Sequence, residues 1–295
     1  MNFIERLKIK LLVNDWEEYG MLKTSRIAKK RRETYRPPLF TNTKGPISFK
    51  HSGNSGDIIY ALPFAKGISE NVGLNLYFNL DQPAEYDKNF EHPLGRVMLN
   101  EKMMNMLKPL MLAQEGIHFC EQYDNQPIDI DLDLVRSAPI PFTKMSLPRW
   151  YFIVFGASYD LSKPWLKADP DSSSNNYITV ARSNRYHGHN INYTFLRKYP
   201  KVQFVGVKNE YMEMKKMIPG LEYRPVNNFL EMASIISGSR LFIGNQSFPF
   251  SLAEGLKANR LLEVSTLCPD VSISGENGNE FLFQSHFESL VKQLY

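Results

Sequence analysis

FKHSGNSGDIIYALPFAKGI, residues 49–68, is the stretch on which the fold turns. A strand-like segment runs into Gly53, Asn54, Ser55 and Gly56, meets one acid at Asp57, and continues as an apolar helix. A strand, a glycine-rich turn and a helix start can hold an anion on free N–H groups, present a carboxylate, or turn a tight corner. Just before the turn, PISFKHS reads as a strand; after the helix, VGLNLYFNL reads as the next, giving the opening βαβ of a parallel sheet.

Further along, the run from Arg96 to Gln114 has helical character, and its Met103, Met104, Met106 and Met111 suit core filling. PIDIDLDLV then alternates acid and apolar residue, so Asp129, Asp131 and Asp133 are expected on one exposed strand face. A metal site there is disfavoured, because a single strand supplies ligands from one side only. WYFIVFGASYDLSKPWL, from Trp150, combines an apolar run with a proline-containing break and marks the passage between two domains.

Beyond it a second βα series begins. It has a strand from Tyr177 to Ala181, a basic loop, a helix near Tyr193 to Lys198 and the strand VQFVGV. The helices EYMEMKKM and FLEMASIISGS follow, then the strand RLFIGNQ, the helix SFPFSLAEGL and the strand NRLLEVS. Repeated units of this length imply a doubly wound sheet. The tail from Asn279 to Tyr295 has helical spacing, with Phe281, Phe283, Phe287 and Leu290 as its apolar set.

The composition, 43% hydrophobic and 13% aromatic over 295 residues, is that of a globular protein with room for two cores. Neither a membrane span nor a signal peptide is legible, so a cytoplasmic location is expected, with peripheral membrane contact as the alternative. Cys120 and Cys268 stand apart and suggest free thiols rather than a disulfide or zinc framework. The net charge of +4 is uneven, since residues 1–44 carry 11 Lys/Arg against 5 Asp/Glu. From Lys23 to Arg36 seven positive side chains face one acid, a density that suits a solvated helix face and can also meet nucleic-acid phosphates or an anionic membrane surface.

GNSGDIIYALP resembles the N-terminal loop of heptosyltransferase-like glycosyltransferases (glycosyltransferase family 9), where Gly-Asp and two hydrophobic residues lead to Leu-Pro in the first helix. FIGNQSFPFSLAEGLKANRLLEV resembles their C-terminal element, a strand ending in Gly, a polar pair and a small-residue turn, then a helix and a strand. The resemblance covers roughly residues 46–270. It implies the GT-B architecture, an α/β fold of two Rossmann-like, doubly wound domains facing across a cleft. The expected division is a basic helical arm at 1–44, an acceptor domain at 45–165, a nucleotide-sugar donor domain at 166–275, and a C-terminal helix at 276–295 returning to the first domain.

The resemblance further implies a nucleotide-sugar donor without cofactor or metal, and a polar acceptor such as a glycan. Asp57 would be the catalytic base, set in the loop Gly53, Asn54, Ser55 and Gly56. The donor diphosphate would meet Gln246, Ser247 and Phe248 at a helix start, with Arg182 and Arg185 neutralising charge and Glu210 holding the ribose hydroxyls. Each residue also has a purely structural reading: Asp57 and Ser247 as helix caps, Arg185 in a surface ion pair, and Glu210 as a first-turn acid. His187 and His189 flank Gly188 and suit a polar loop better than a metal site, for want of a third ligand.

Gln246-Ser247-Phe248 departs from the family's Asp-Ser/Thr-Gly, and a Phe side chain holds a phosphate further off than glycine does. The leading expectation is an inverting, metal-independent glycosyltransferase. The alternatives are a non-catalytic nucleotide- or sugar-binding protein on the same scaffold, a transferase acting on nucleic acid through the basic arm, and a sugar-nucleotide epimerase.

Overall fold

The computed structural model describes residues 45–84, 94–137, 146–266 and 270–295, with the isolated positions 4, 7 and 26. The expectations for the basic arm (Arg26 apart) and for Cys268 lie outside the described residues; Cys120 is a buried free thiol.

The first sheet is built from β1 (Ile47–His51), β2 (Leu74–Phe78), β3 (Ile117–Gln122) and β4 (Ile130–Asp131). Its order is β3-β2-β1-β4 and every pairing is parallel. Helix α1 (Ser55–Ser69) joins β1 to β2, and α2 (Glu101–Leu112) precedes β3. β1 and β2 bury every second residue, the period expected where one face is packed more tightly than the other. Asn100 caps α2 by accepting the Met103 N–H at 3.0 Å.

The acids at 129, 131 and 133 are less free than the exposed strand face expected of them: Asp129 is exposed, Asp131 and Asp133 are half-buried, and all three are bonded. β4 is only two residues long and lies at the sheet edge, so each acid turns onto the β1 side. Asp129 accepts the Ser48 N–H at 2.7 Å, Asp131 pairs with Lys50 at 2.7 Å, and Asp133 accepts the Ser52 N–H at 3.0 Å. After Asp131 the chain leaves the strand as a 3₁₀ turn, Leu132–Ser137.

Helix α3 (Leu147–Phe155) ends at Gly156, whose φ of 71° is the left-handed stop that glycine takes without strain. The chain then crosses to the second sheet, where Trp165 and Leu166 both donate to the Gly255 carbonyl, at 3.0 and 3.1 Å. A Cβ on Gly255 would meet Leu166 Cδ1 at 2.7 Å, so a side chain there would displace Leu166 from this crossing.

The second sheet comprises β5 (Ile178–Ala181), β6 (Val202–Phe204), β7 (Glu222–Tyr223), β8 (Leu241–Asn245), β9 (Arg260–Glu263) and β10 (Gly278–Phe281), in the order β10-β9-β8-β5-β6-β7, again all parallel. Helices α4 (Lys208–Met217), α5 (Phe229–Gly238), α6 (Phe248–Leu256) and α7 (Gln284–Leu294) complete it. The residues expected as a helix near Tyr193 form a 3₁₀ turn, Thr194–Lys198. β5, β8 and β9 are buried along their whole length, as parallel strands covered on both faces must be.

Alternate residues of the second sheet enter two cores. Phe242 and Leu262 join a continuous core that passes through Phe250, Phe229, Phe64 and Phe49 into the first sheet. Ile178, Ile243 and Leu261 face the other way, onto Tyr193, Phe281, Phe287 and Val291. Among the described residues the tail packs on the second domain rather than on the first, and its leading residues Gly278–Phe281 form an added edge strand. The Phe287 ring stacks on Phe281 at 3.9 Å and meets Tyr193 and Phe195 at 4.9 and 4.8 Å, a nest of second-domain rings. Replacing Phe287 by Ala should cost about 3–5 kcal/mol in chemical denaturation, the usual range for emptying a buried aromatic site. Unchanged stability would contradict this packing.

Candidate functional site

Each sheet reverses its winding once. In the first, the chain proceeds β1, β2, β3 in one direction and returns to place β4 on the other side of β1; in the second, β5, β6 and β7 run one way and β8, β9 and β10 the other. In open α/β sheets ligands bind outside the carboxyl ends of the strands at such reversals. Here these points are the loops after β1 and β4, and the loops after β5 and β8.

At the first point, Asn54 and Asp57 close a reciprocal capping box at the start of α1, and Asp57 Oδ2 accepts the Asn54 N–H at 3.1 Å. The capping reading of Asp57 is therefore met. Its side chain is still 19% exposed, and it lies 3.5 Å from Arg136 Nη2. Arg136 in turn donates to Asp133 Oδ1 at 3.1 Å and to Ser52 Oγ at 3.0 Å. Burial pushes the Asp57 carboxyl above the usual carboxylate range, and the Arg136 guanidinium opposes that rise. A Cβ on Gly53 would meet Arg136 Nη2 and His51 Cε1 at 2.5 Å and Asp57 Oδ2 at 2.8 Å, so only glycine lets these groups converge.

His51, buried at the end of β1, accepts the Gly53 N–H on Nδ1 at 2.8 Å. The ring proton therefore sits on Nε2 and is donated to the Tyr151 hydroxyl, 2.7 Å away. Burial lowers the His51 pKa to about 4, so the ring is neutral at ordinary pH and serves as a strut.

At the second point, Asn245 joins the two loops. Its Oδ1 accepts the Ser183 N–H at 3.0 Å, while its Nδ2 donates to the carbonyls of Ser183 at 3.0 Å and Arg185 at 2.5 Å. Arg182 is not available to an incoming phosphate as expected from sequence. It is 7% exposed and forms a bidentate pair with Glu263 at 2.7 and 2.6 Å, with the Tyr193 ring beneath the guanidinium. Glu263 also accepts from the Gly188 N–H and the Tyr193 hydroxyl, at 2.7 and 2.8 Å, so the pair anchors the 182–188 loop. Arg185, by contrast, is only partly covered, and its charge acts on Glu210.

Glu210 stands in the first turn of α4 and accepts the Asn184 N–H at 3.4 Å; burial raises its pKa to about 7. Ser247 occupies the cap position of α6 but donates its hydroxyl to the Asn245 carbonyl at 3.2 Å, leaving the helix start without a side-chain cap. Pro249 removes one N–H from that first turn. Phe248 turns its ring onto Phe229, with centroids 4.2 Å apart. Gln246 is 4% exposed; the Ser265 N–H fixes its Oε1 at 3.3 Å, and its Nε2 is buried without a partner, out of reach of a ligand in this conformation.

The two points meet through Gly56. Its missing side chain would point at Phe248 Cα and Ser251 Oγ, each 3.9 Å from an ideal Cβ, so the loop before Asp57 and the start of α6 are in direct contact. His187 Nε2 bonds the Ser183 carbonyl at 2.7 Å, and among the described residues no group of three or more His, Cys, Asp or Glu is placed to hold a metal ion. Sequence reasoning missed Arg136, Asn245 and Glu263. The one signal for Glu263 was a lone acid closing the apolar strand at Arg260–Glu263.

No protein-family model and no curated protein sequence matches the chain. Its fold is shared with solved glycosyltransferase family 9 structures over most of its length. A glycosyl transferase family 9 protein from Veillonella parvula DSM 2008 superposes with a TM-score of 0.52 at 10% identity, covering 85% of this chain and 89% of that one. The E. coli heptosyltransferase WaaC with ADP gives 0.54 at 8% identity, covering 85% and 100%. E. coli ADP-heptose lps heptosyltransferase II gives 0.52 at 9% identity, covering 80% and 90%. The chain thus has two parallel-sheet α/β domains of the GT-B kind. Among the described residues no helix is long and apolar enough to cross a membrane.

The folded-state pKa of Glu210, raised from 4.5 to about 7, sets a sign for its stability effect. The folded protein prefers the protonated acid, so stability is lost as pH rises from 4.5 through 7. Glu210→Gln, which keeps an acceptor but cannot ionise, should be more stable than the parent at pH 8 and lose that advantage by pH 4.5, in paired denaturation curves.

Proposed function

We propose that the protein is an inverting, metal-independent glycosyltransferase that moves a sugar from a nucleotide-sugar donor to a glycan or another polar acceptor. The observation that carries this reading is the approach of the first turn of α1 to the start of α6 through Gly56, which brings the turn that carries a partly exposed carboxylate against an uncapped helix N-terminus. Structures of the same fold support the donor class, one solved with ADP and one with ADP-2-deoxy-2-fluoro heptose.

In the proposed reaction Asp57 takes the proton of the acceptor hydroxyl as its oxygen attacks the anomeric carbon. The bond from that carbon to the terminal phosphate oxygen breaks, and a nucleoside diphosphate leaves. Negative charge grows on the diphosphate, where the positive end of α6 and the Arg185 guanidinium lower its energy. Glu210, beside Asn184 at the neighbouring strand end, would accept from the ribose hydroxyls. Arg182 acts at one remove, by holding the 182–188 loop through Glu263.

A second reading, a binding protein without turnover, is favoured by Phe248 and by the sealed Nε2 of Gln246, both at the helix start where the phosphates would lie. Thermal shift against nucleoside diphosphates, followed by a turnover screen with the matching nucleotide-sugars, separates the two. Arg185→Ala should weaken nucleoside diphosphate binding; unchanged affinity in an intact fold would move the donor elsewhere. Asp57→Asn still caps α1 but cannot take the proton, so turnover should fall at least ~100-fold while melting temperature and donor affinity hold. Near-normal turnover would leave Asp57 as a cap alone.

A further inference from the structure

We propose that Arg136 is the positioning residue of the Asp57 base, keeping its carboxylate ionised and its orientation fixed; this rests on the reading of Asp57 as the base. Nothing in the motif around Asp57 points to Arg136, which lies 79 positions further on, in the 3₁₀ turn after β4. The winding reversal brings it there, because β4 pairs with β1 on the side opposite β2.

The guanidinium is held at two points besides Asp57. Nη1 donates to Asp133 Oδ1 at 3.1 Å and to Ser52 Oγ at 3.0 Å, while Nη2 stands 3.5 Å from Asp57 Oδ2. Asp133 is in turn fixed by the Ser52 N–H at 3.0 Å, so the loop after β1 and the turn after β4 clamp one cation between two acids. Gly53 leaves the space in which cation and base approach each other. Because Asp57 Oδ2 is occupied by Arg136 and the Asn54 N–H, the carboxylate is restrained against rotation while remaining 19% exposed to an incoming hydroxyl.

Electrostatics calls for such a cation. Burial raises the pKa of Asp57, and Asp270 adds repulsion from the segment after β9. Across α1, Glu254 of α6 is already matched by Lys257 and Arg260, at 2.5 and 2.6 Å. From β1 and α3 come the neutral His51 ring and the Tyr151 hydroxyl. Among the described residues the 3₁₀ turn adds the acid Asp133, and Arg136 pairs with both it and Asp57. An opposite charge at this distance is the standard means of returning a carboxylate to its ionised form.

The test is the acid limb of the pH profile of kcat/KM, with a substrate-free ¹³C titration of the Asp57 carboxyl alongside. Arg136→Gln should move both to higher pH by about one unit, and Arg136→Lys should largely restore them. An active Arg136→Gln enzyme with an unmoved acid limb and an unmoved titration, whatever its melting temperature, would reduce Arg136 to a structural tie and overturn the proposal. Should that variant fail to fold, Asp133→Asn gives the opposite sign: it keeps an acceptor for Arg136 and Ser52 but removes a negative charge, so the limb and the titration should move to lower pH. Absence of that movement also overturns it. If the titration shifts as stated while Asp57→Asn retains normal turnover, the coupling stands and the assignment of the base fails.

Discussion

The contact between α1 and α6 is the constraint on which the arrangement depends. Two parallel sheets could each fold over a private core, yet here one apolar core runs from Phe49 and Phe64 through Phe250 to Phe229, so the interface is made of the same close-packed material as the interiors. At the polar end of that interface Gly56 sits against Phe248 and Ser251. A Cβ at 56 would only touch Phe248 and Ser251 at 3.9 Å, so alanine fits there, whereas a side chain longer than alanine would have to find room between the two helix starts. Packing and site geometry are coupled at this point: the spacing that suits the core also sets how the turn carrying Asp57 sits against the start of α6.

Around this contact, buried charges hold loops. The Arg182–Glu263 pair draws in the Gly188 N–H and the Tyr193 hydroxyl, and Glu254 with Arg260 and Lys257 ties the segment at Ser274 and Glu276 to α6. Such pairs add little net stability over an apolar substitute, because desolvation of two ions offsets most of their attraction. Their value is geometric. With every partner satisfied, each pair has one arrangement, and loops that are otherwise free to move are fixed at the strand ends where the site forms. Removing one partner leaves an unmatched buried charge, at a cost of several kcal/mol.

The distribution of these charges also accounts for what was and was not legible. The strand, turn and helix around Asp57, the second βα series, and the helix at Ser247 follow from local periodicity and from glycine and proline placement, which act over a few residues. Arg182 misled because a basic residue in a loop after a strand looks the same whether it faces solvent or a buried acid 81 positions away. The acidic alternation at 129–133 misled for the converse reason. An exposed ladder and an edge strand turned onto its neighbour share one pattern, and only the pairing of β4 with β1 tells them apart. The tail had the right amphipathic spacing, but spacing does not say which domain supplies the partner surface.

By itself the sequence determined the class of fold, two βα series joined at a proline-containing break, and the presence of an acid and a helix start suited to the same chemistry. Those are properties of short segments, set by backbone preferences and by the alternation of apolar residues. Tertiary structure alone decided which charges remain free. Strand order placed Arg136 beside Asp57 and left it partly exposed, buried Arg182 against Glu263, sealed the Gln246 amide, and left Arg185 and Glu210 half-buried at the second winding reversal. The physical reason is that an ionisable side chain takes its role from its neighbours and its access to water, and both are assigned by contacts between residues far apart in the chain.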